Sequence, residues 1–361
     1  MRAAAASGGQ GRRASAAIDL RSDTVTLPTD AMREAMQAAP LGDDGLEGDP
    51  TVRRLEQMAA SLLGKPAALF VASGTMGNLV ASLAHASRGG GEAIADADAH
   101  IVRSESGGIA RLAGLFCHCV PHTGGEMALE RVRELLRPVH ARTGQPTAMV
   151  VVESSHNHAG GAVPPLAYMA ELRAMAAAAG VAVHLDGARL FNAALALGVP
   201  ARELAAQADS VTFCLSKGLS APMGSLLAGD ADFVARARTY RRMVGGGLRQ
   251  AGVVAAAGIV ALEQMCDRLA EDHGNARHLW ALLRAADPRL VAPAAPQTNI
   301  VMVDLSHRGS VANAPAAIEA LAAAGVLMRA RDRVTLRAVT HRHVDRDAMG
   351  QAAARMLRVL A

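Results

Sequence analysis

The chain has 361 residues, 51% hydrophobic and 19% charged, with 37 Lys+Arg against 33 Asp+Glu for a formal net charge of +4. That composition excludes disorder of the whole chain and supplies apolar material for a large core, as one big domain or two unequal ones. The longest apolar stretches, such as 253–262, are about half the ~20 residues of a membrane-spanning helix, and eight aromatics with no basic block longer than a pair such as Arg12-Arg13 or Arg241-Arg242 argue against a nucleic-acid partner.

Residues 1–17 are small, contain no acid and lack the apolar run of a secretory signal, so a disordered tail is expected there. From Ile18 onward short apolar runs alternate with segments of helical spacing. The runs 68–71, 92–96, 148–153, 181–186, 210–214 and 226–227 with their flanks read as strands. The segments 51–63, 76–86, 127–136, 165–179 and 201–208 read as helices. Such alternation implies an α/β fold with a mostly parallel sheet covered by helices. After Gly252 the texture changes to long helices at 253–269 and 273–286, a strand at 299–305, a helix at 314–324, a short strand at 334–337 and a last helix at 345–360. The expected division is a large domain over 18–250, whose first part (18–45) packs on the small domain or the site, and a smaller α+β domain over 251–361.

Cys117, Cys119, Cys214 and Cys266 are too few and too scattered for a disulfide framework, which makes a reducing cytosol the expected setting. Cys117-His118-Cys119 does not read as a metal site, because successive strand residues point to opposite faces.

Ligands of open α/β sheets collect where the strands end, which singles out four places. Ser73-Gly74-Thr75-Met76-Gly77-Asn78 lies between a strand and a helix, where free amides and the helix dipole suit one phosphate group or merely a cap. Asp186 closes a strand and is followed by Gly187-Ala188-Arg189, as a carboxylate beside a cationic heterocycle or as an Asp–Arg ion pair. Lys217 follows the strand 210–214 and is one of two lysines in the chain, the other being Lys65. Lysine can lose its proton when desolvated and form an imine. Gly245-Gly246-Gly247-Leu248-Arg249 is a flexible loop ending in an arginine that could reach an anion. A lysine, an aspartate and a single-phosphate cup together meet the needs of pyridoxal 5'-phosphate.

These segments also carry a resemblance. With DLRSDTVT at 19–26, GDD at 42–44, DPT at 49–51, SGTMGN at 73–78, DGAR at 186–189, FCLSK at 213–217 and GGGLRQ at 245–250, the chain resembles the low-specificity L-threonine aldolases of the fold-type-I pyridoxal-phosphate superfamily from Ile18 to the last helix. The resemblance implies that Lys217 binds the cofactor covalently and Asp186 holds its pyridine nitrogen protonated. It gives phosphate contacts to Gly74 and Thr75, with Arg249 reaching that phosphate across a subunit interface of a homotetramer. It implies that His100 stacks on the ring, that Ser22, Arg189 and Arg337 grip the substrate carboxylate, and that His156 lies near the substrate hydroxyl. His100 and His156 are then the catalytic histidines to consider, with an ordered water between them as the other source of the base. Two departures stand out: Leu46 replaces the family's usual tyrosine, and Ser154-Ser155 its usual Asn-Thr.

The implied reaction is cleavage of L-threonine, L-allo-threonine or a related β-hydroxy-α-amino acid to glycine and an aldehyde. β-Elimination or transamination on the same scaffold is the nearest alternative. A non-catalytic cofactor-binding protein is disfavoured, because Lys217, Asp186, Arg189 and Arg337 are all present.

Overall fold

The computed structural model describes residues 17–86, 90–137, 145–308 and 313–361, so the expected tail lies outside the described residues except for Ala17. Seven strands form the main sheet, in spatial order Ala67–Val71, Ser225–Gly229, Ser210–Cys214, Ala182–Asp186, Thr147–Glu153, Gly91–Asp96 and Leu115–Val120. All neighbours run parallel except Ser225–Gly229, which is antiparallel to both strands beside it. Strands such as Ser210–Cys214 and Gly91–Asp96 are buried at every residue, as expected of a sheet covered on both faces. Polar groups are therefore presented where the strands end.

Leu115–Val120 was not among the expected strands; it lies at the sheet edge and exposes Phe116 and Cys119. Phe116 and Cys119 are three residues apart and so lie on opposite faces, and His118 interrupts the apolar run that marks the inner strands. The helices Leu190–Leu197 and Ala231–Arg241 also escaped the periodicity, and Asp30–Ala38, although amphipathic, was not among the expected helices. In Ala231–Arg241 charges interrupt the pattern, and Leu190–Leu197 is so uniformly apolar that no period shows.

Local chemistry sets the helices that frame the site. Asp49 caps Pro50–Leu63 by accepting from the amides of Thr51 and Val52, with proline in the first turn and Gly64 left-handed at the other end. Ser73 caps Gly74–His85 by accepting from the amide of Met76. The helix approaches the sheet closely at Gly77, where a Cβ would lie 2.6 Å from Thr212 Cγ2.

A second core lies beyond the main sheet. It combines the antiparallel strands Ile300–Asp304, Thr335–Val339 and Arg329–Ala330 with the helices Leu269–Ala286, Ala314–Ala323 and Arg346–Leu360. The start of the described chain belongs to it: Ile18–Asp19 pairs in parallel with Val326–Leu327, and Ile18 and Leu20 are buried there. The helix Gly252–Gln264 instead buries Ala255, Ala257, Ile259 and Val260 in the large core. Core membership thus changes inside Leu269–Ala286, between Leu269 and Ala276, rather than near 250. The change of texture at 250 marks the end of strand–helix alternation, which is a different event from a change of core.

Gly77→Ala is expected to lower stability by about 1–2 kcal/mol, the overpacking against the immobile Thr212 outweighing alanine's better helix propensity. Thr212→Ser, which removes Cγ2, should restore part of it in denaturant melts of the double variant.

Candidate active site

A cleft of ≈ 400 Å³ lies where the parallel strands end. Asn157 and His158 reach it just after Thr147–Glu153, Arg189 after Ala182–Asp186, Lys217 after Ser210–Cys214, and His100 after Gly91–Asp96. Ser22 and Thr24 enter from the N-terminal segment, and Arg329, Arg331 and Arg337 from the small sheet. Among the described residues no carboxylate lines this cleft.

Lys217 Nζ lies 3.5 Å from Cys214 Sγ, and its backbone carbonyl accepts from Thr26 Oγ1 at 2.8 Å. Asp186 is buried at the end of the neighbouring strand, where Oδ2 accepts from Asn78 Nδ2 at 2.8 Å and Oδ1 from the amide of Ala188 at 3.1 Å. The strand register pairs Glu153 with Asp186 and Asp186 with Thr212, so these side chains share one layer.

His100 is held by two carboxylates behind the cleft. Its Nδ1 meets Glu105 Oε1 at 2.7 Å, and its amide donates to Glu153 Oε2 at 2.6 Å. The Glu105 hydrogen bond raises the imidazole pKa above its ordinary value, against the opposing effect of burial. Glu105 and Glu153 are themselves pushed up, by burial first and by other charges including Asp186. Asn78 ties the set together: its Nδ2 donates to both Glu105 and Asp186 at 2.8 Å, and its Oδ1 meets His184 Nε2 at 3.1 Å.

Arg189 is held from behind through two of its three guanidinium nitrogens. Nε donates to Asp23 Oδ2 and a terminal nitrogen to Asp23 Oδ1, both at 2.7 Å, with Asp23 0% and Arg189 7% exposed. Although burial opposes it, the Arg189 charge holds the Asp23 carboxyl well below the usual carboxylate range. Asn157 Oδ1 accepts from Arg337 at 2.5 Å and from the remaining Arg189 nitrogen at 3.5 Å. Burial and the neighbouring Arg189 bring Arg337 down to about 10. Ser22 is buried and caps the turn Asp23–Val25, accepting from Thr24.

Besides Asp186, four expected site residues do not line the cleft. His156 is 0% exposed and not on the cleft wall: the loop folds around its ring, Ala159 N–H donates to Nδ1 at 3.0 Å, and Nε2 meets Asp96 Oδ1 at 2.9 Å. Its chain neighbours Asn157 and His158, both half-buried, take the positions on the cleft wall. Thr75 faces a separate, apolar hollow with Met76, Leu79 and Met243, while Gly74 lies directly behind Cys214, whose Sγ a Cβ there would approach to 2.7 Å. Arg249 is exposed and pairs with Asp43 at 3.5 Å, outside the cleft of its own chain. Leu46 is 82% exposed and also outside it.

Asp23, Asn78, Glu105, Glu153 and Asn157 escaped the sequence reading, although Asp23 and Asn78 lie inside quoted motifs. Two clusters bring three potential metal donors within 4.8 Å of one another: Asp96, His122 and His156, and His100, Glu105 and Asp186. In the first, backbone amides donate to Nδ1 of both histidines, which leaves each Nε2 carrying the proton and facing carboxylates as a donor. That arrangement suits a hydrogen-bonded cluster better than an ion.

Residues 19–307 match the family model described as beta-eliminating lyase. A low-specificity L-threonine aldolase of Arabidopsis thaliana is 42% identical over 329 residues, covering 91% of this chain and 92% of that one. The Escherichia coli low specificity L-threonine aldolase is 41% identical over 345 residues, 95% and 99% of the two chains. Among solved structures, a putative L-allo-threonine aldolase of Listeria monocytogenes superposes with a TM-score of 0.75 at 21% identity, over 95% and 94% of the chains. A threonine aldolase of Leishmania major does so with 0.78 at 18%, over 95% and 100%. At these identities the structural likeness shows the fold.

Arg189→Ala should cost about 3–5 kcal/mol, because it leaves the Asp23 charge buried and unpaired. Asp23 adds stability above the ordinary carboxylate pKa that is lost as pH falls toward its lowered folded value. Acid unfolding of the parent should therefore be blunted in Asp23→Asn, measured as stability against pH between about 5 and 2.

Proposed function

Because the chain belongs to the beta-eliminating lyase family and stands among its low-specificity L-threonine aldolases, we propose that it cleaves L-threonine, L-allo-threonine or a related β-hydroxy-α-amino acid. The products are glycine and an aldehyde, and the cofactor is pyridoxal 5'-phosphate. One observation carries the reading: the lysine and the buried aspartate close adjacent strands, beside a cleft walled by arginines.

The donor set suits that cofactor. Thr212 Oγ1 and Ser225 Oγ are buried without a hydrogen-bond partner beside the Gly74–His85 helix. Gly74 and Cys214 are in close approach, and Cys214 touches Lys217, so the helix start and the amine belong to one neighbourhood. When bound, pyridoxal phosphate supplies a protonated ring that weakens whichever Cα bond stands perpendicular to it.

Lys217 is the amine that holds the cofactor aldehyde, and Asp186 the carboxylate that keeps its ring nitrogen protonated. Gly74 and Thr75 are assigned to the phosphate at a helix N-terminus. Arg249 is assigned to the same phosphate from a neighbouring subunit of a homotetramer. His100, its ring orientation set by Glu105, is assigned to the ring face. Arg337 and Ser22 take the substrate carboxylate. Arg189 contributes the one terminal nitrogen that Asp23 leaves and holds Asn157 against Arg337. Fixing the carboxylate fixes the rotamer about Cα, so that the Cα–Cβ bond is the one presented for cleavage.

The β-hydroxyl proton must leave as the aldehyde forms. His100 lines the cleft and His156 does not, which makes His100, directly or through a water, the acceptor in this reading. Keto acid and ammonia in place of glycine and aldehyde would favour elimination or transamination instead.

Two measurements test the assignment. Supplied with pyridoxal phosphate, the parent chain should absorb in the visible and Lys217→Ala should not; a parent that takes up no cofactor overturns the reading. His100 accepts a proton only when neutral, so kcat/KM should rise with pH through a value above the ordinary histidine pKa of about 6.5. Glu105→Gln removes the partner that raises this pKa, so the acid limb should move to lower pH.

A further inference from the structure

The cleft holds more positive charge than one α-carboxylate needs. Four arginines line it, Arg189, Arg329, Arg331 and Arg337. Two are matched from behind: Arg189 by Asp23, and Arg331 by Asp98 at 3.4 Å, a carboxylate shared with Arg103. Among the described residues Arg337 finds only neutral oxygens, on Asn157 and the Arg21 carbonyl, and its Nε is buried without a partner. Among the described residues Arg329 has no carboxylate partner.

Arg329 also stands directly opposite Arg337 in the antiparallel pairing of Arg329–Ala330 with Thr335–Val339. Residues opposite one another share a face, and so do residues two apart, which puts Arg331 on the same side. The amide of Arg331 continues the pairing to the carbonyl of Thr335 at 2.8 Å. Like charges facing each other across a strand pair destabilise it, and anions between or beside them relieve the repulsion. In the reading above, Arg337 takes the substrate α-carboxylate. Arg329 and the Nη1 of Arg331, whose Nη2 meets Asp98 and whose Nε donates to the His158 carbonyl, are left for something else.

The geometry points to a second anion subsite in the cleft, formed by Arg329 with Arg331, that selects β-hydroxy-α-amino acids whose β-substituent carries a carboxylate. This rests on the aldolase reading and narrows its substrate class. Cleavage breaks Cα–Cβ; the β-hydroxyl loses its proton and becomes the carbonyl of an aldehyde that keeps the second carboxylate, and Cα takes up a proton as glycine. With 3-hydroxyaspartate the products are glycine and glyoxylate, which together account for every atom of the substrate.

The test is glycine release by the full chain loaded with pyridoxal phosphate, on two matched pairs: 3-hydroxyaspartate against threonine, and 3-(4-carboxyphenyl)serine against phenylserine. The expected result is a kcat/KM ratio of anionic to neutral substrate of about ten or more in at least one pair, the scale of one charge-assisted hydrogen bond. Arg329→Gln should bring that ratio down about tenfold, chiefly through KM, and Arg329→Lys should retain most of it. Neutral substrates favoured or equal in both pairs, or a ratio that Arg329→Gln leaves unmoved, would overturn the subsite alone. Glycine from none of the four compounds would overturn the aldolase reading with it.

Discussion

The buried pair between Asp23 and Arg189 is the contact on which the cleft depends. Taking two charges out of water is costly, and attraction offsets that cost only when the geometry is close and the remaining groups are bonded. Here both bonds are 2.7 Å, and Asn299 adds a longer one to Asp23 at 3.4 Å. The pair joins a segment anchored in the small core through Ile18 and Leu20 to the end of a main-sheet strand. It therefore sets how Ser22 and Thr24 line the cleft, how Thr26 meets Lys217, and how Asn157 meets Arg337.

Charge is layered around this contact. The cleft wall is made of cations and neutral donors, while Asp23, Glu105, Glu153 and Asp186 are buried behind it. Strand register places Glu153 beside Asp186, and burial disfavours charge on the glutamates. The amides of His100 and Asn157, the side chain of Asn78 and the imidazole of His100 take up their hydrogen-bonding capacity. The same bonds that satisfy the acids hold His100 and Asn157 in place, so positioning follows from burial of carboxylates at strand ends.

Much of this was legible in one dimension. Inner strands announce themselves because both faces are covered and the run is continuously apolar, and all five were read that way, as was the edge strand Ala67–Val71. The other edge strand, Leu115–Val120, was not among them, its apolar run being broken by His118 between two cysteines. Lys217 and Asp186 were singled out because a strand end in an apolar stretch is an unusual place for either. Asn78 and Glu105 gave no such signal: an asparagine within a helix and a glutamate in a loop look like surface residues until the fold buries them. His156 shows the converse, since a histidine beside a strand end looks available and is in fact wrapped by its own loop.

What the sequence determined by itself was the α/β class, the strand ends that carry chemistry, and the family, because these depend on local patterns and on motifs a few residues long. Tertiary structure decided which side chains face the cleft. It paired Arg189 with an aspartate 166 positions away, set Arg329 across from Arg337, and put the start of the described chain in the second core. Those outcomes turn on long-range register and burial, and both arise only when distant segments pack and exclude water.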